Sequence, residues 1–211
     1  LIKQIIHQIL NKLGLLRGIF VWHLRGYPVP APDRVKRATI SRWGDSNSPW
    51  LETGTYKAKT TRYLAKRSPF VVSLEPMEGL YKSALKKTSK FGNIQIINKP
   101  SESGFDEAIS IANSKQLNFW LDGHYSHGIT FKGNQETPIE LELKSISTKL
   151  REGVLSQVTV CVDDIRLFVV NPDGTNGQDY PPLNDLVEWA NQNNLVWTIE
   201  QDIFIAKSRI V

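Results

Sequence analysis

The chain has 211 residues, enough for one domain that buries most of the surface its unfolded form exposes. Its hydrophobic fraction of 40% and charged fraction of 22% are typical of a soluble globular protein. The net charge of +5 leaves nucleic acid or an anionic membrane surface open as partners. The basic residues are scattered, however, and no arginine-rich block or Cys/His zinc module is present, so we expect no nucleic-acid partner.

Cys161 is the only cysteine, and it stands inside an apolar run of the sequence. A single cysteine excludes a disulfide framework and a metal site built from several thiolates. It fits a small core residue in a reducing compartment, so we expect a cytoplasmic protein. No stretch approaches ~20 uninterrupted apolar residues, and a membrane-spanning helix is not expected.

Residues 1–49 are predicted to form a helical extension that caps the substrate side of the domain. Residues 1–16 repeat apolar side chains at helical spacing, with lysines on the other face. Such a helix can lie peripherally on an acidic membrane surface, or pack over the domain or against a partner chain such as a second copy. Residues 19–31 predict an irregular linker, and Asp33 is expected to cap a short helix that ends near Trp43.

From Trp50 onward, short apolar strands alternate with helices. The predicted strands are residues 50–52, 70–75, 94–98, 118–122, 158–163, 195–200 and 203–207. The predicted helices are residues 60–66, 78–90, 105–114, 138–151 and 183–193. This alternation predicts an α/β domain over residues 50–211, with a mostly parallel seven-stranded sheet covered on both faces. The last two strands are joined too tightly for a crossover, so one of them should run antiparallel.

Polar residues follow the carboxyl ends of the predicted strands, where open α/β sheets bind ligands. After the first strand, Gly54 lets a ligand approach the backbone closely. Glu75 ends the second strand, where an acidic side chain can accept hydrogen bonds from ribose hydroxyls. The glycine spacing matches neither a G-x-G-x-x-G fingerprint nor a P-loop, so dinucleotide or triphosphate binding has little support.

Three further carboxylates end neighbouring strands: Asp122 ends the fourth, and Asp163 and Asp164 end the fifth. Because adjacent strands lie about 4.8 Å apart, these carboxylates can converge on one cation. Oxygen ligands without cysteine favour Mg²⁺ or a similarly hard divalent ion. The alternative is that Asp163 and Asp164 are turn or helix-capping residues, but unpaired clustered carboxylates would repel each other, which favours the metal.

Five segments occur in a characteristic order along the chain. They are Glu52-Thr53-Gly54-Thr55-Tyr56, Val72-Ser73-Leu74-Glu75, Pro100-Ser101-Glu102, Leu121-Asp122-Gly123-His124 and Val162-Asp163-Asp164. Over about residues 50–210 the sequence resembles class I S-adenosylmethionine-dependent methyltransferases, and among them the metal-dependent O-methyltransferases of the catechol and macrocin types. The resemblance implies a Rossmann-like, doubly wound sheet. It also implies methyl transfer to a hydroxylated small molecule, a sugar or glycoconjugate rather than a catechol.

The resemblance also implies roles for individual residues. Glu52 and the backbone around Gly54 and Tyr56 would hold the methionine part of S-adenosylmethionine, Glu75 would bind the ribose, and Ser101 would lie beside the adenine. The full implied cofactor set is Glu52, Thr53, Gly54, Thr55, Tyr56, Thr60, Glu75, Ser101 and Asp122. The metal-binding acids that match are Asp122, Asp163 and Asp164, for Mg²⁺ or another divalent cation.

The general base is the point at which the sequence departs from the catechol type, whose members carry a lysine shortly after the acid on the fourth strand. Here Asp122 is followed by two histidines, and no lysine occurs before Lys132. Asp122 itself or His124 would take the substrate proton, and His127 is interpreted as a hydrogen-bonding loop residue.

Two other functions stay open at this point. One is a methyltransferase-like domain that binds cofactor or a partner without turnover, and it is suggested by the missing lysine. The other is an RNA methyltransferase, suggested by the basic charge alone. An Asn/Asp-Pro-Pro-aromatic motif after the fourth strand, typical of base and amide N-methyltransferases, is absent from the sequence, which argues against methylation of a nucleobase.

Overall fold

The computed structural model describes residues 14, 18–122, 137–169 and 180–209. The strands are β1 (Trp50–Thr53), β2 (Val71–Leu74), β3 (Ile94–Ile97), β4 (Gln116–Leu121), β5 (Gln157–Val162), β6 (Leu195–Glu200) and β7 (Ile203–Ser208). The helices are α1 (Asp33–Trp43), α2 (Lys59–Ala65), α3 (Glu78–Thr88), α4 (Ser101–Ala112), α5 (Ile139–Arg151) and α6 (Leu183–Gln192), with a 3-10 helix at Ile165–Phe168.

The seven strands form one sheet in the order β3-β2-β1-β4-β5-β7-β6. Strands β1 to β5 pair in parallel, whereas β7 is antiparallel to both β5 and β6. The predicted mostly parallel sheet with one antiparallel strand near the C-terminus is therefore confirmed. The chain moves outward from β1 to β3, then returns to place β4 on the other side of β1. The carboxyl ends of β1 and β4 thus flank the switch point, where open α/β sheets form a ligand-binding crevice.

The strands are apolar because both faces of the sheet are covered. Leu51 and Phe119 belong to a core cluster that includes residues of α4, α5 and α6. Trp50 and Trp120, their neighbours in sequence, point the opposite way into a second cluster with residues of α1 and α2. Cys161 is buried in that second cluster, as expected of a core residue, and burial raises the pKa of its thiol.

Three local predictions are wrong. Residues 18–24 are helical, although residues 19–31 were expected to be irregular; the first proline is Pro28, so nothing interrupts a helix before it. Helix α4 begins at Ser101 rather than Phe105, because Pro100 already holds an extended conformation just before it. Asp33 lies inside the first turn of α1 and makes no capping hydrogen bond.

None of the helices in the described ranges has the length and apolar content needed to cross a membrane.

Helix α1 is fixed to the sheet at its carboxyl end. Trp43 donates its indole N–H to Glu200 Oε2 at 2.8 Å, and its carbonyl accepts a bond from Lys207 Nζ at 3.1 Å. Gly44 follows the helix and lies close to the indole of Trp50, which is 2% exposed. These contacts set where the rest of α1 lies relative to the carboxyl edge of the sheet.

Replacing Gly44 by Ala should therefore loosen α1. The new Cβ would lie 2.2 Å from Cζ2 of the Trp50 ring, which must shift within a packed core. We expect the free energy of unfolding to fall by about 1–3 kcal/mol, measured by denaturant titration. The matched control is Gly92→Ala, because a Cβ there meets nothing within 4 Å and should change stability by less than about 0.5 kcal/mol. Equal effects of the two substitutions would contradict this account.

Candidate cofactor and acceptor site

A cavity of about 220 Å³ opens at the carboxyl ends of β1 and β4. Seven of the residues singled out from the sequence line it: Glu52, Gly54, Thr55, Tyr56, Thr60, Asp122 and Asp163. Thr53, Glu75, Ser101 and Asp164, also singled out, are not among its lining residues in the described part of the chain. Helix α1 supplies one wall through Asp33, Lys36 and Arg37, none of which was among the predicted site residues.

The loop between β1 and α2 has an unusual backbone. Gly54 has a φ of 85°, and the non-glycine residues Tyr56 and Ala58 have φ values of 46° and 55°. Left-handed conformations of non-glycine residues cost about 1–3 kcal/mol each and cluster at functional sites. Hydrogen bonds stabilise this conformation, since Gly54 and Thr55 both donate their N–H groups to Leu74 O, at 3.1 and 3.0 Å.

Glu52 lies under this loop and is 1% exposed. Its Oε2 accepts hydrogen bonds from Thr61 Oγ1 at 2.5 Å and Ser73 Oγ at 2.7 Å. Burial nevertheless raises the pKa of the Glu52 carboxyl to about 7, because the hydroxyls only partly replace water. The side chain therefore links β1 to α2 and β2, and it also offers a carboxyl group to the cavity.

Glu75 follows β2 directly and is 3% exposed. Its Oε2 accepts the Tyr56 N–H at 2.7 Å, and its Oε1 accepts the Met77 N–H at 3.0 Å. Burial raises the pKa of this carboxyl, although both backbone bonds oppose the shift. A carboxylate offers about four lone-pair positions, so two remain for further donors such as ribose hydroxyls.

The three aspartates predicted as metal ligands do come together. One carboxylate oxygen from each of Asp122, Asp163 and Asp164 lies within 4.8 Å of the others. The metal prediction assumed that these carboxylates are unpaired, but Asp163 and Asp164 have cationic partners in the structure. Lys36 Nζ lies 2.6 Å from Asp163 Oδ1 and 2.7 Å from Asp164 Oδ1. Arg166 adds a second cation, 2.7 Å from Asp164 Oδ1, so mutual repulsion does not require a metal here.

The charged groups in this cluster shift the pKa values of one another. Loss of solvent and the neighbouring Asp163 and Asp164 raise the pKa of Asp122 well above its usual range, against the effect of Lys36. Burial and Asp164 raise the pKa of Asp163 to about 7. Burial acts to lower the pKa of Lys36, but its ion pairs with the aspartates outweigh this and raise it. Lys36 is therefore a cation at neutral pH.

The turn role considered for this pair of aspartates is also present. Asp164 has a left-handed φ of 57° and precedes the 3-10 helix, without a side-chain cap. Asp163 Oδ1 accepts the Asp164 N–H at 2.8 Å and so stabilises the turn. The same side chain lines the cavity, and the two roles coexist.

Glu142 on α5 is a buried acid that sequence reasoning missed. It is 2% exposed, and its carboxyl accepts hydrogen bonds from Thr53 and Ser101. Its Oε1 has no hydrogen-bond partner among the described residues. Burial raises its pKa to about 7. Thr53 Oγ1 also accepts the Asp122 N–H at 3.2 Å, so Glu142 supports the segment that carries Asp122.

The three- and four-residue spacing of helix faces could have identified both Glu142 and Lys36 as inward-facing residues. Glu142 shares a face with the buried residues Ile139 and Ile146, three positions after the first and four before the second. Lys36 likewise lies three and four positions before the buried Thr39 and Ile40. His124 and His127 lie outside the described residues, and their roles stay predictions.

Replacing Glu142 by Gln should remove a pH dependence of stability. Its carboxyl pKa is about 7 when folded against a usual 4.5, so between these values the unfolded chain has lost the proton that the folded chain retains. Stability from this group is present below about pH 4.5 and falls by up to about 3 kcal/mol as the pH rises through 7.

Denaturant titrations from about pH 5 to about pH 8 should show a flatter decline for Glu142→Gln than for the wild type. Glu140→Gln, on the exposed side of the same helix, is the control and should follow the wild-type curve. Parallel curves for Glu142→Gln and the wild type would show that the carboxyl titrates normally.

No protein-family model matches the chain, and no curated protein sequence matches it either. Solved structures do. A protein from Clostridium thermocellum assigned as an rRNA methylase matches with a TM-score of 0.53 at 12% identity, over 83% of this chain and 96% of that one. A precorrin-6y C5,15-methyltransferase from Geobacter metallireducens matches with a TM-score of 0.50 at 12% identity, over 82% and 85%.

A magnesium protoporphyrin IX methyltransferase from Synechocystis, solved with S-adenosylmethionine bound, gives a TM-score of 0.50 at 12% identity, over 83% of this chain and 77% of that one. Identities this low bear on the fold, and not on the acceptor or on a metal. The strand order, the single antiparallel strand and these likenesses agree. The chain has the fold of the class I S-adenosylmethionine-dependent methyltransferases.

Proposed function

We propose that the protein transfers the methyl group of S-adenosylmethionine to a hydroxyl oxygen of a small molecule, a sugar or glycoconjugate rather than a catechol. One observation carries the proposal. The glycine loop after β1, the buried Glu52 and the acid Asp122 after β4 line a single cavity at the switch point of the sheet. A methyl donor and an acceptor need such a shared space, because proximity supplies much of the rate of a two-substrate reaction.

The cofactor side is supported by the charge of the ligand. S-adenosylmethionine carries a sulfonium and an ammonium group, and a cation near a buried carboxyl favours its ionised form. Glu52 lines the cavity with a raised pKa, so a bound cation would return it toward its ordinary acidity. Glu75 is held by two backbone N–H groups beside the same loop, where its remaining lone pairs can accept ribose hydroxyls.

The acceptor side is supported by the polarity of the walls. Eight of the thirteen residues that line the cavity are charged: Asp33, Lys36, Arg37, Glu52, Lys57, Lys59, Asp122 and Asp163. Carboxylates and ammonium groups hydrogen-bond the hydroxyls of a sugar in many directions. An aromatic diol presents only two hydroxyls and would hydrogen-bond fewer of these groups. This composition therefore favours a polar, polyhydroxylated acceptor.

The reaction needs one proton acceptor. Bound S-adenosylmethionine would supply the methyl group: a C–O bond would form to the hydroxyl oxygen, and the sulfur would keep the electron pair of the broken C–S bond. The hydroxyl proton passes to Asp122, which lines the cavity and whose pKa is raised toward that of a useful general base. His124, two residues further along the chain, is the alternative base.

Cofactor binding is tested by calorimetric titration with S-adenosylhomocysteine. We expect saturable binding by the wild type, and binding about 10–100-fold weaker for Glu75→Gln, because hydrogen bonds to a charged group contribute about 1.5–3 kcal/mol. Glu78→Gln is the control, since Glu78 is exposed and pairs with Lys82 on the outside of α3. Absence of wild-type binding would rule the proposed function out.

The acceptor is tested by transfer of a labelled methyl group to separate pools of sugars and glycoconjugates, catechols, and RNA. We expect label in the first pool, lowered about 10²–10⁴-fold by Asp122→Asn, which keeps the shape of the side chain but cannot take a proton. Asp185→Asn is the matched control, because it makes the same change at an exposed position of α6 that does not line the cavity. Label in RNA alone would replace the acceptor assignment, and cofactor binding without transfer to any pool would indicate a domain without turnover.

A further inference from the structure

We propose that Lys36 occupies the position in which a divalent cation would sit between Asp122, Asp163 and Asp164, so that this acid cluster works without a metal. The inference deepens the proposed function by assigning the cation that faces the acceptor. Lys36 comes from α1, 127 residues before Asp163 in the chain, and its side chain is 12% exposed.

The ammonium group of Lys36 lies where a bound cation would lie. Lys36 Nζ donates to Oδ1 of Asp163 at 2.6 Å and to Oδ1 of Asp164 at 2.7 Å. Mg²⁺ binds carboxylate oxygens at about 2.0–2.1 Å and requires near-octahedral geometry. An ion on these two oxygens would be in near contact with the ammonium group, and two cations repel. The ammonium and the metal are therefore alternatives for the same place.

The aspartate oxygens that face Lys36 already hold several hydrogen-bond donors. Asp164 Oδ1 already accepts two charged donors, Lys36 Nζ and Arg166 Nη1, each at 2.7 Å. Asp163 Oδ1 accepts Lys36 Nζ and the Asp164 N–H, the latter at 2.8 Å. Arg166 is itself held by Asp202, which is 7% exposed. A metal would have to displace established partners rather than fill empty lone pairs.

Helix α1 keeps the ammonium group of Lys36 in place. The helix is anchored through Trp43 to Glu200 and Lys207, and Ile40 packs in the core cluster that contains Trp50 and Trp120. Lys36 thus projects from a fixed backbone into the cavity that Asp122 lines. A fixed cation beside Asp122 is suited to stabilise an acceptor oxygen as it loses its proton.

The test uses Mn²⁺ as a probe, with binding followed by the loss of its free electron paramagnetic resonance signal. We expect the wild type to show no saturable binding below about 1 mM, and Lys36→Met, which vacates the cluster, to bind at least about tenfold more tightly. Lys36→Arg keeps the positive charge and should behave as the wild type. Lys59→Met is the matched control, because Lys59 lines the same cavity but pairs with Asp33 instead of the cluster.

Adding Asp163→Asn to Lys36→Met should abolish the acquired Mn²⁺ binding, which would place the ion in the cluster. If the wild type binds Mn²⁺ saturably and Asp163→Asn removes that binding, the inference is overturned. This comparison does not require Lys36→Met to fold. Equal Mn²⁺ affinities of the wild type and a folded Lys36→Met variant would also overturn the inference. These readouts do not involve methyl transfer, so a failure here is distinct from a failure to bind S-adenosylhomocysteine.

Discussion

Burial of several carboxyl groups at one edge of the sheet is the constraint on which the rest of this structure depends. A carboxylate removed from water is strongly destabilising unless it is paired, hydrogen-bonded or protonated. The chain uses a different solution for each acid. Glu52 receives two hydroxyl bonds, Glu75 two backbone N–H bonds, and Asp163 the ammonium of Lys36. Among the described residues, one oxygen of Glu142 has no hydrogen-bond partner, and the pKa of this carboxyl is raised to about 7.

These solutions tie distant segments to the same edge. The bond from Tyr56 to Glu75 joins the β1–α2 loop to the end of β2 and offsets the cost of a left-handed tyrosine. The bond from the Asp122 backbone N–H to Thr53 Oγ1 joins the end of β4 to β1. The loop conformation thus follows from the hydrogen bonds that the buried carboxylates require. The cavity is the space that this arrangement leaves open. Binding groups are positioned by the same contacts that make their burial tolerable.

The features predictable from sequence were those encoded locally. Strands covered on both faces must be apolar, so their pattern marked the sheet, and the acid that stops each apolar run marked its carboxyl edge. Even there, Glu75, Asp122 and Asp163 lie just past the strands rather than at their last residues. The partners of these acids were not predictable in the same way. Lys36 pairs across the fold with Asp163 and Asp164, and no spacing in the sequence relates a helix before β1 to a turn after β5.

The sequence therefore predicts that the three aspartates lie together, but not that cationic side chains neutralise them. The aspartates were located correctly, but a metal was inferred because they were assumed to lack counter-charges, and in the folded chain Lys36 and Arg166 supply them. A lysine on the inward face of a helix is costly to bury alone, since its stem packs readily but its ammonium does not. Its presence on α1, beside Thr39 and Ile40, implies an acidic partner in the core of the site. Helix α1 shares a hydrophobic cluster with the sheet and carries this cation, so the charge balance of the site depends on a segment that lies before the first strand.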